Sequence, residues 1–334
     1  MNQFFCAEAC RHADEDIIGS ATNYRTYILI EAPLPWAANA FDSPGIPQEL
    51  RNLVQDIQAA QLSIRFLLIS QGRYGNLDSL KLIIYEQVQD KFSAGYDGFE
   101  VEVNNLEQAA DFARKYIAGE LPDQCIQFSP ARDFLVCTHG SHDKCCAKYG
   151  IPFYKQASRI TAQLELDRVR IWMSSHFGGH RFAPTMIDFP EGRYYGLLDG
   201  DTFCLLLTRT GTIKCLHRVY RGWSILPVEI QVLERELMLF YGWAWMNYQV
   251  ACQCLEANAD RSLIQVELQF SRASSTVYSC SAQLVRDQQK TLNLQGSCDN
   301  PKISEFVKYA VQDLKLNVVN LGMNLSSYPE QQAS

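Results

Sequence analysis

Residues 133–150 read DFLVCTHGSHDKCCAKYG, an apolar run followed by a polar stretch rich in cysteine and histidine. The apolar run predicts a buried strand that ends at Cys137, and the polar stretch predicts a loop. A helix is expected over about 144–164, with a later start favoured by Pro152, because proline disrupts a helix interior. A further strand is predicted at 168–173, and strands that alternate with helices favour an α/β or α+β fold.

The same pattern extends outward in both directions. Strand, helix, strand, two strands and helix follow one another, which is the order of a thioredoxin-like unit, and this order occurs twice. The predicted elements are strands at 26–32, 63–70, 81–87 and 92–103 with helices at 49–60 and 106–118, and then a hairpin at 185–189 and 193–198 with a helix at 201–211. Asn105 and Gly119 are suited to cap the helix between them.

We therefore predict an α/β (α+β) protein with two thioredoxin-like lobes and a C-terminal helix–strand extension. The predicted domains are 1–130, a lobe without clustered cysteine and histidine, 131–224, the lobe that carries them, and 225–334, the extension. The extension is expected to contain a long helix from Pro227 to about Cys254, antiparallel strands at 264–270, 276–284 and 291–295, an amphipathic helix at 301–314, and a loose tail from Asn317.

Charge and hydropathy exclude several classes of protein. The 334 residues carry 30 basic and 37 acidic side chains, and the resulting net charge of −7 argues against a nucleic-acid binder or a protein of anionic membranes. No apolar run reaches the roughly 18 residues that span a bilayer. The first residues lack the basic start of a signal peptide, so we expect a cytoplasmic protein. In that compartment, clustered cysteines indicate metal or redox chemistry rather than disulfides.

Two segments concentrate the residues that bind metals. Residues 137–150 and 175–184, the latter reading SHFGGHRFAP, contain four of the six histidines and three of the twelve cysteines. Both follow predicted strands, where open sheets place functional loops. Thiolate and imidazole ligands suit zinc or an iron–sulfur cluster.

The ligand spacing favours the cluster over zinc. His176 and His180 match the histidine half of a zinc finger, but Cys137 is too far from Cys146 in sequence to match the cysteine half. Adjacent cysteines, here Cys145 and Cys146, rarely both reach one tetrahedral ion. A 2Fe–2S cluster held by two cysteines and two histidines is the Rieske-type ligand set. Glycine at 178 and 179 lets the backbone approach such a cluster closely.

These motifs, together with PEGRYYG at 190–196 and YRG at 220–222, resemble the sucrase/ferredoxin-like family over roughly residues 6–235. The resemblance implies a thioredoxin-like ferredoxin domain with a 2Fe–2S cluster. It also implies the ligands Cys137, Cys146, His176 and His180, with Cys145 as the alternative to Cys146. The family usually has arginine immediately before Asp143, where this chain has His142, which could be another ligand or a proton carrier.

The expected function is one-electron transfer to or from a redox partner protein, coupled to protons through the two histidine ligands. His176 and His180 are expected to face solvent and this partner. The residues expected beside the cluster, or as alternative ligands, are Cys145, His139, His142, Asp143, Gly178, Gly179 and Arg181. The sequence leaves the partner's identity and the oligomeric state open.

Three other functions compete with electron transfer. A zinc-binding interaction module would use the same four ligands, and a thiol redox protein would use Cys145 and Cys146, although the chain has no Cys-x-x-Cys motif. Sucrase activity needs two carboxylates about 5 to 9.5 Å apart. The available acids, Asp188, Glu191, Asp199 and Asp201, lie near turns, where acids are common, so a standalone enzyme is not expected. An additional site at Cys6 and Cys10, near His12, is less expected than a structural role.

Overall fold

A computed structural model describes residues 4–72, 79–121, 127–272 and 276–319. The helices are α1 (Cys6–His12), α2 (Gln48–Ala59), α3 (Leu106–Ala118), α4 (Ile151–Gln163), α5 (Gly200–Thr208) and α6 (Val228–Tyr241). The strands are β1 (Thr26–Glu31), β2 (Ile64–Ser70), β3 (Leu80–Gln87), β4 (Tyr96–Val103), β5 (Gln127–Phe128), β6 (Arg132–Cys137), β7 (Val169–Ser174), β8 (Met186–Phe189), β9 (Arg193–Tyr195), β10 (Tyr220–Trp223), β11 (Tyr248–Ala257), β12 (Leu263–Arg272), β13 (Val277–Arg286), β14 (Leu292–Gln295), β15 (Ile303–Phe306) and β16 (Tyr309–Val319). The predicted α/β class is confirmed.

Ten strands form one sheet in the order β10-β9-β8-β6-β7-β2-β1-β3-β4-β5. Within it, β2-β1-β3-β4 and β7-β6-β8-β9 repeat one arrangement, in which the first strand of the lobe lies between its second and third. The first two strands of each lobe are parallel, and the later ones are antiparallel. Antiparallel pairing of β2 with β7 joins the two repeats. The proposed domain boundaries stay a prediction.

The central strands are mostly apolar and buried because both faces of the sheet are covered. In β1, Tyr27 and Leu29 pack into the larger core, whereas Ile28 and Ile30 pack on the other face beneath α2 and α3. This division follows the two-residue period of a strand. The predicted cap of α3 is present, since the Asn105 side chain accepts a hydrogen bond from the backbone N–H of Gln108.

The helix that begins near Cys145 starts before Pro152 and not after it. Residues 146–150 form a π-helical turn that leads directly into α4, with Pro152 in the first turn. Pro152 thus lies inside a continuous helical stretch, directly after the wider π-helical turn, and this turn accommodates the hydrogen bond that proline cannot donate. The later start favoured by Pro152 is therefore wrong, and the helix carries Cys145 and Cys146 at its N-terminal end.

Two helices predicted in the C-terminal extension are wrong in whole or part. The helix at 227–254 ends with α6 at Tyr241, and Tyr248–Ala257 is a strand paired with β12. The predicted helix at 301–314 and the start of the predicted loose tail are instead β15 and β16. Long-range pairing of β16 with β13 overrides the local helical spacing of apolar residues. Residues 320–334 of the predicted tail lie outside the described residues.

The extension supplies a second sheet, in the order β11-β12-β13-β16, which packs against α6. The β14–β15 hairpin, which lies between β13 and β16 in the sequence, packs against α1. The extension therefore returns to the N-terminus, beside the cysteine- and histidine-rich loops.

Among the described residues, none of the helices combines the length and the apolar character needed to cross a bilayer.

Candidate metal centre

Parallel pairing of β6 with β7 brings the two predicted segments together. Cys137, the last residue of β6, is aligned with Ser174, the last residue of β7, so the loops after both strands leave the same edge of the sheet. His176 follows two residues after β7, and Cys146 returns to the edge at the start of the π-helical turn. The site therefore lies where open sheets place ligands.

Cys137, Cys146 and His176 form a compact group. The Nδ1 atom of His176 lies 3.7 Å from the sulfur of Cys137 and 3.7 Å from that of Cys146. The three ligand atoms all lie within 4.8 Å of one another, and both cysteines are fully buried. Such a group can hold a metal ion.

His180 extends the site on the other side of His176. Its ring centroid lies 5.2 Å from that of His176, and it belongs with His176 and His142 to a second possible ligand group. The Nε2 atom of His180 lies 2.7 Å from the carbonyl oxygen of Gly296, while the buried Nδ1 has no hydrogen-bond partner. Donation from Nε2 would leave the Nδ1 lone pair free for a metal.

Burial and hydrogen bonding adjust the ionisation of these groups. Burial raises the pKa of the Cys137 thiol, but hydrogen bonds from Cys146 and from backbone N–H groups outweigh it and hold that pKa below its usual value. Interaction with Cys137 and burial raise the pKa of Cys146. Burial lowers the pKa of His176 to about 2 and also lowers that of His180. The lowered pKa of Cys137 favours its thiolate form, and the lowered pKa values of the two histidines favour neutral imidazoles, which are the forms that bind metals.

His139 has a structural role, because both of its ring nitrogens have partners. Nε2 lies 2.7 Å from the carbonyl oxygen of Ala37, and Nδ1 accepts a hydrogen bond of 3.2 Å from the backbone N–H of His176. His142 is exposed and stacks on His176, with ring centroids 4.0 Å apart. Of the two loop histidines, therefore, only His142 offers an imidazole to solvent.

The two predicted histidine ligands are less exposed than the expectation that they face solvent implies. His176 and His180 are each half-buried, and the β14–β15 connection covers His180 through Gly296. A groove of about 580 Å³ opens instead beside His142 and His176, with Arg65 and Tyr24 among its lining residues. This groove is the approach to the histidine side of the site.

The backbone conformation of the second loop favours glycine at two positions. Gly178 and Gly179 have φ values of +99° and +79°, which side chains other than glycine rarely adopt. A Cβ on Gly179 would lie 2.6 Å from the guanidinium of Arg221. Arg221 is buried, and its hydrogen-bond partners are neutral: the carbonyl oxygens of Gly178 and Ser20 and the Ser20 hydroxyl.

Arg181, predicted beside the cluster, points away toward the N-terminal segment and the extension. It donates hydrogen bonds of 3.1 and 3.0 Å to the two carboxylate oxygens of Glu15, and its guanidinium lies 3.5 Å from the centre of the Phe306 ring. Lys308 also contacts Glu15, at 2.9 Å. Arg181 therefore links three segments of the chain around the site.

The adjacent cysteines face different groups. Cys146 contacts Cys137 and His176, whereas the sulfur of Cys145 lies 3.5 Å from that of Cys6 and 3.3 Å from that of Cys298. Their separate surroundings do not favour thiol chemistry that uses the two together. Sequence reasoning missed Cys298, Gly296 and Arg221. Only Arg221 had a signal, as part of the YRG motif.

The acids considered for sugar hydrolysis have structural partners. Asp188 is buried and paired with Arg132 through two hydrogen bonds. Asp199 accepts the backbone N–H of Thr202 and caps α5. Glu191 pairs with Arg193. These contacts occupy three of the four candidate carboxylates and do not favour sucrase chemistry.

Comparison with known proteins identifies one relationship. The model of the Sucrase/ferredoxin-like family matches residues 17–222, which is well over half of the chain. No curated protein and no solved structure matches. The match includes β1 to β9, most of β10 and every predicted cluster ligand, whereas Cys6, Gly296 and Cys298 lie outside it.

Proposed function

Because the chain belongs to the sucrase/ferredoxin-like family, we propose that it binds a 2Fe–2S cluster and carries single electrons. Cys137, Cys146, His176 and His180 would hold the cluster. The observation that carries this proposal is that two buried thiols and His176 form one possible ligand group, which His176 shares with a second group containing His180, whose Nδ1 atom is buried and without a hydrogen-bond partner. An orphaned buried nitrogen is costly unless a ligand satisfies it.

The spread of the four atoms favours the cluster over a single zinc ion. Cys137, Cys146 and His176 group within 4.8 Å, but His180 does not join them and groups with His142 and His176 instead. A closed structural zinc site draws all four ligands onto one tetrahedral ion. Two cysteines at one end and His180 at the other suit a longer group, such as one with two irons.

When bound, such a cluster supplies one-electron redox chemistry, with a potential raised by its neutral histidine ligands. The chain would tune and protect that chemistry. Neutral imidazoles lose no proton on binding metal, and the buried thiols of Cys137 and Cys146 are shielded from oxidants. The carbonyl of Gly296 would fix the orientation of His180 by accepting its Nε2–H.

Proton coupling in this proposal involves His142 as well as the ligands. The Nε2 atom of His180 lies against a carbonyl, so exchange of its proton requires the β14–β15 connection to move. The exposed ring of His142, stacked on His176, could accept or release a proton beside the groove without such a movement. A one-electron reductase or acceptor protein would approach from this side.

Iron and sulfide analysis of anaerobically purified protein tests the proposal. We expect about two irons and two sulfides per chain, with a visible spectrum that dithionite bleaches. Cys137→Ser and Cys146→Ser should abolish the chromophore, because each removes a thiolate ligand. Cys145→Ser should retain it, and Cys215→Ser, a half-buried cysteine in a separate turn, is the matched control.

Three results would contradict the proposal in different ways. Loss of the chromophore in Cys145→Ser with retention in Cys146→Ser would exchange the cysteine ligands. Zinc without sulfide, released by Cys137→Ser, would make this centre a structural zinc site. Failure to bind iron or sulfide even after anaerobic reconstitution would exclude the cluster.

A further inference from the structure

A second group of thiols lies next to the proposed cluster site. The sulfur atoms of Cys6, Cys145 and Cys298 form a triangle with sides of 3.5, 3.3 and 3.7 Å. They come from α1, from the residue before the π-helical turn, and from the β14–β15 connection. Three distant parts of the chain therefore place three sulfurs around one point.

These separations fit a single tetrahedral ion. With Zn–S bonds of about 2.3 Å, two thiolates on the same zinc lie about 3.8 Å apart. A disulfide would bring two of the sulfurs to about 2.0 Å and leave the third without a partner. A 2Fe–2S cluster places no more than two thiolates on one iron, so three sulfurs around one point do not match it. The triangle thus suits a mononuclear site.

Asp143 completes the group. One of its carboxylate oxygens lies 4.0 Å from the sulfur of Cys6, and a carboxylate oxygen and the three sulfurs all lie within 4.8 Å of one another. The backbone N–H of Cys145 donates to Oδ1 at 2.9 Å, and that of Cys298 donates to Oδ2 at 3.1 Å. The carboxylate is therefore held in place by the same segments that supply two of the thiols.

We propose that Cys6, Cys145, Cys298 and Asp143 bind one zinc ion. Zinc is favoured because it accepts thiolate and carboxylate ligands together in tetrahedral geometry. All four positions are filled by the chain, so this zinc is structural. The backbone N–H of Ala7 points at the sulfur of Cys145 at 3.5 Å, a contact that stabilises a thiolate.

The proposed zinc would fasten the N-terminal helix and the C-terminal hairpin to the first ligand loop. Asp143 also lies 3.9 Å from the Nδ1 atom of His180, and Gly296, two residues before Cys298, contacts the other nitrogen of that ring. The zinc would thus hold the cover of the neighbouring site in position. Cys6 and Cys298 lie outside the family match, so this site does not follow from the family.

Metal analysis of the full-length chain with single substitutions separates the two sites. We expect one zinc per chain in the unsubstituted protein. Cys298→Ser should lose the zinc and retain about two irons, because Cys298 is none of the four residues proposed to hold the cluster. Cys137→Ser should do the reverse. Cys215→Ser should lose neither metal.

Cobalt substitution gives a second readout that does not depend on iron. In Cys137→Ser protein stripped of metal, added Co²⁺ should produce the intense visible bands of a tetrahedral thiolate site. Adding Cys298→Ser should remove them. Zinc retained by Cys298→Ser, or no zinc and no cobalt bands in any variant, would overturn the proposal, whichever result iron analysis gives.

A measurement on the unsubstituted protein guards against a variant that fails to fold. Alkylation of Cys6, Cys145 and Cys298, followed by mass spectrometry, should be slow until a chelator removes zinc. A mass lower by two hydrogens, with two of these cysteines linked, would instead identify a disulfide and overturn the zinc site.

Discussion

Arg221 is the residue whose charge has the clearest expected effect on the proposed cluster. It lies beneath the Gly178–Gly179 turn, and its hydrogen-bond partners are neutral. Burial lowers the pKa of Arg221 to about 10, so the guanidinium is still charged near neutral pH. A buried cation close to a redox centre favours the reduced, more negative state.

We therefore predict that Arg221→Gln lowers the reduction potential of the bound cluster. A change on the order of 60 mV would be a tenfold shift in the one-electron equilibrium. Potentials would be measured by optical titration at one pH. Arg218→Gln removes the same charge from an exposed side chain, 75% accessible, and should leave the potential unchanged. Equal potentials in Arg221→Gln and the unsubstituted protein would exclude this role.

At the scale of elements, the π-helical turn determines where Cys146 lies. Its last residue, Gly150, packs against the end of β6, where a Cβ would lie only 2.0 Å from the carbonyl oxygen of Cys137. The Cβ would be fixed to the backbone of the turn and the oxygen belongs to the backbone of β6, so neither atom could move away easily. The absence of a side chain at Gly150 therefore allows the helix and the strand to bring two ligands together.

Gly150→Ala should destabilise the fold by about 3 kcal/mol or more and reduce cluster incorporation, because it forces the turn away from Cys137. Urea unfolding and iron content would measure the two effects. Lys155→Ala, at an exposed position of α4, is the control and should change stability by less than about 0.5 kcal/mol. Normal stability and iron content in Gly150→Ala would show that the contact is not restrictive.

At the scale of the whole molecule, ion pairs connect the N-terminal segment to distant elements. Asp16 accepts hydrogen bonds of 2.6 and 2.9 Å from Arg235 in α6, and Glu15 pairs with Arg181 and Lys308. Burial raises the pKa of Asp16, but Arg235 outweighs that effect and holds it below the usual value. Ionised Asp16 therefore contributes stability at neutral pH.

Asp16→Asn should lower the free energy of unfolding by about 3 kcal/mol at pH 7, because it removes the closer charge partner of buried Arg235 and leaves it with Glu236, an exposed carboxylate 3.8 Å from its Nε atom. The folded-state pKa lies below the unfolded value of 3.8, so the contribution is present above that value. It is lost as the pH falls through the folded-state pKa. The difference between variant and unsubstituted protein should therefore shrink in acid.

Urea unfolding at several pH values measures this dependence. Asp14→Asn is the matched control, since Asp14 pairs with Arg218 at the surface and is 78% exposed. Exposed pairs contribute about 0 to 1 kcal/mol. A difference for Asp16→Asn that stays constant from pH 7 into acid would contradict the proposed pairing.

Much of the ten-stranded sheet could be predicted from sequence because its signals are local. Buried strands such as Thr26–Glu31 are short apolar runs, and Asn105 and Gly119 cap α3 by contacts within a few residues. The predictions failed at Tyr248–Ala257 and Tyr309–Val319, which become strands through pairing with β12 and β13. Tertiary pairing can override local propensity.

The sequence by itself determined the alternation of strands and helices and the family, and the resemblance to that family implied the four residues proposed to hold the cluster, with Cys145 as the alternative to Cys146. Each depends on periodicity or on motifs whose members are close along the chain. Only the tertiary structure decided that Cys145 faces Cys298, 153 residues away, while Cys146 faces Cys137 and His176. It also decided that Gly296 covers His180. Such contacts depend on how distant segments pack, and no local sequence signal marks them in advance.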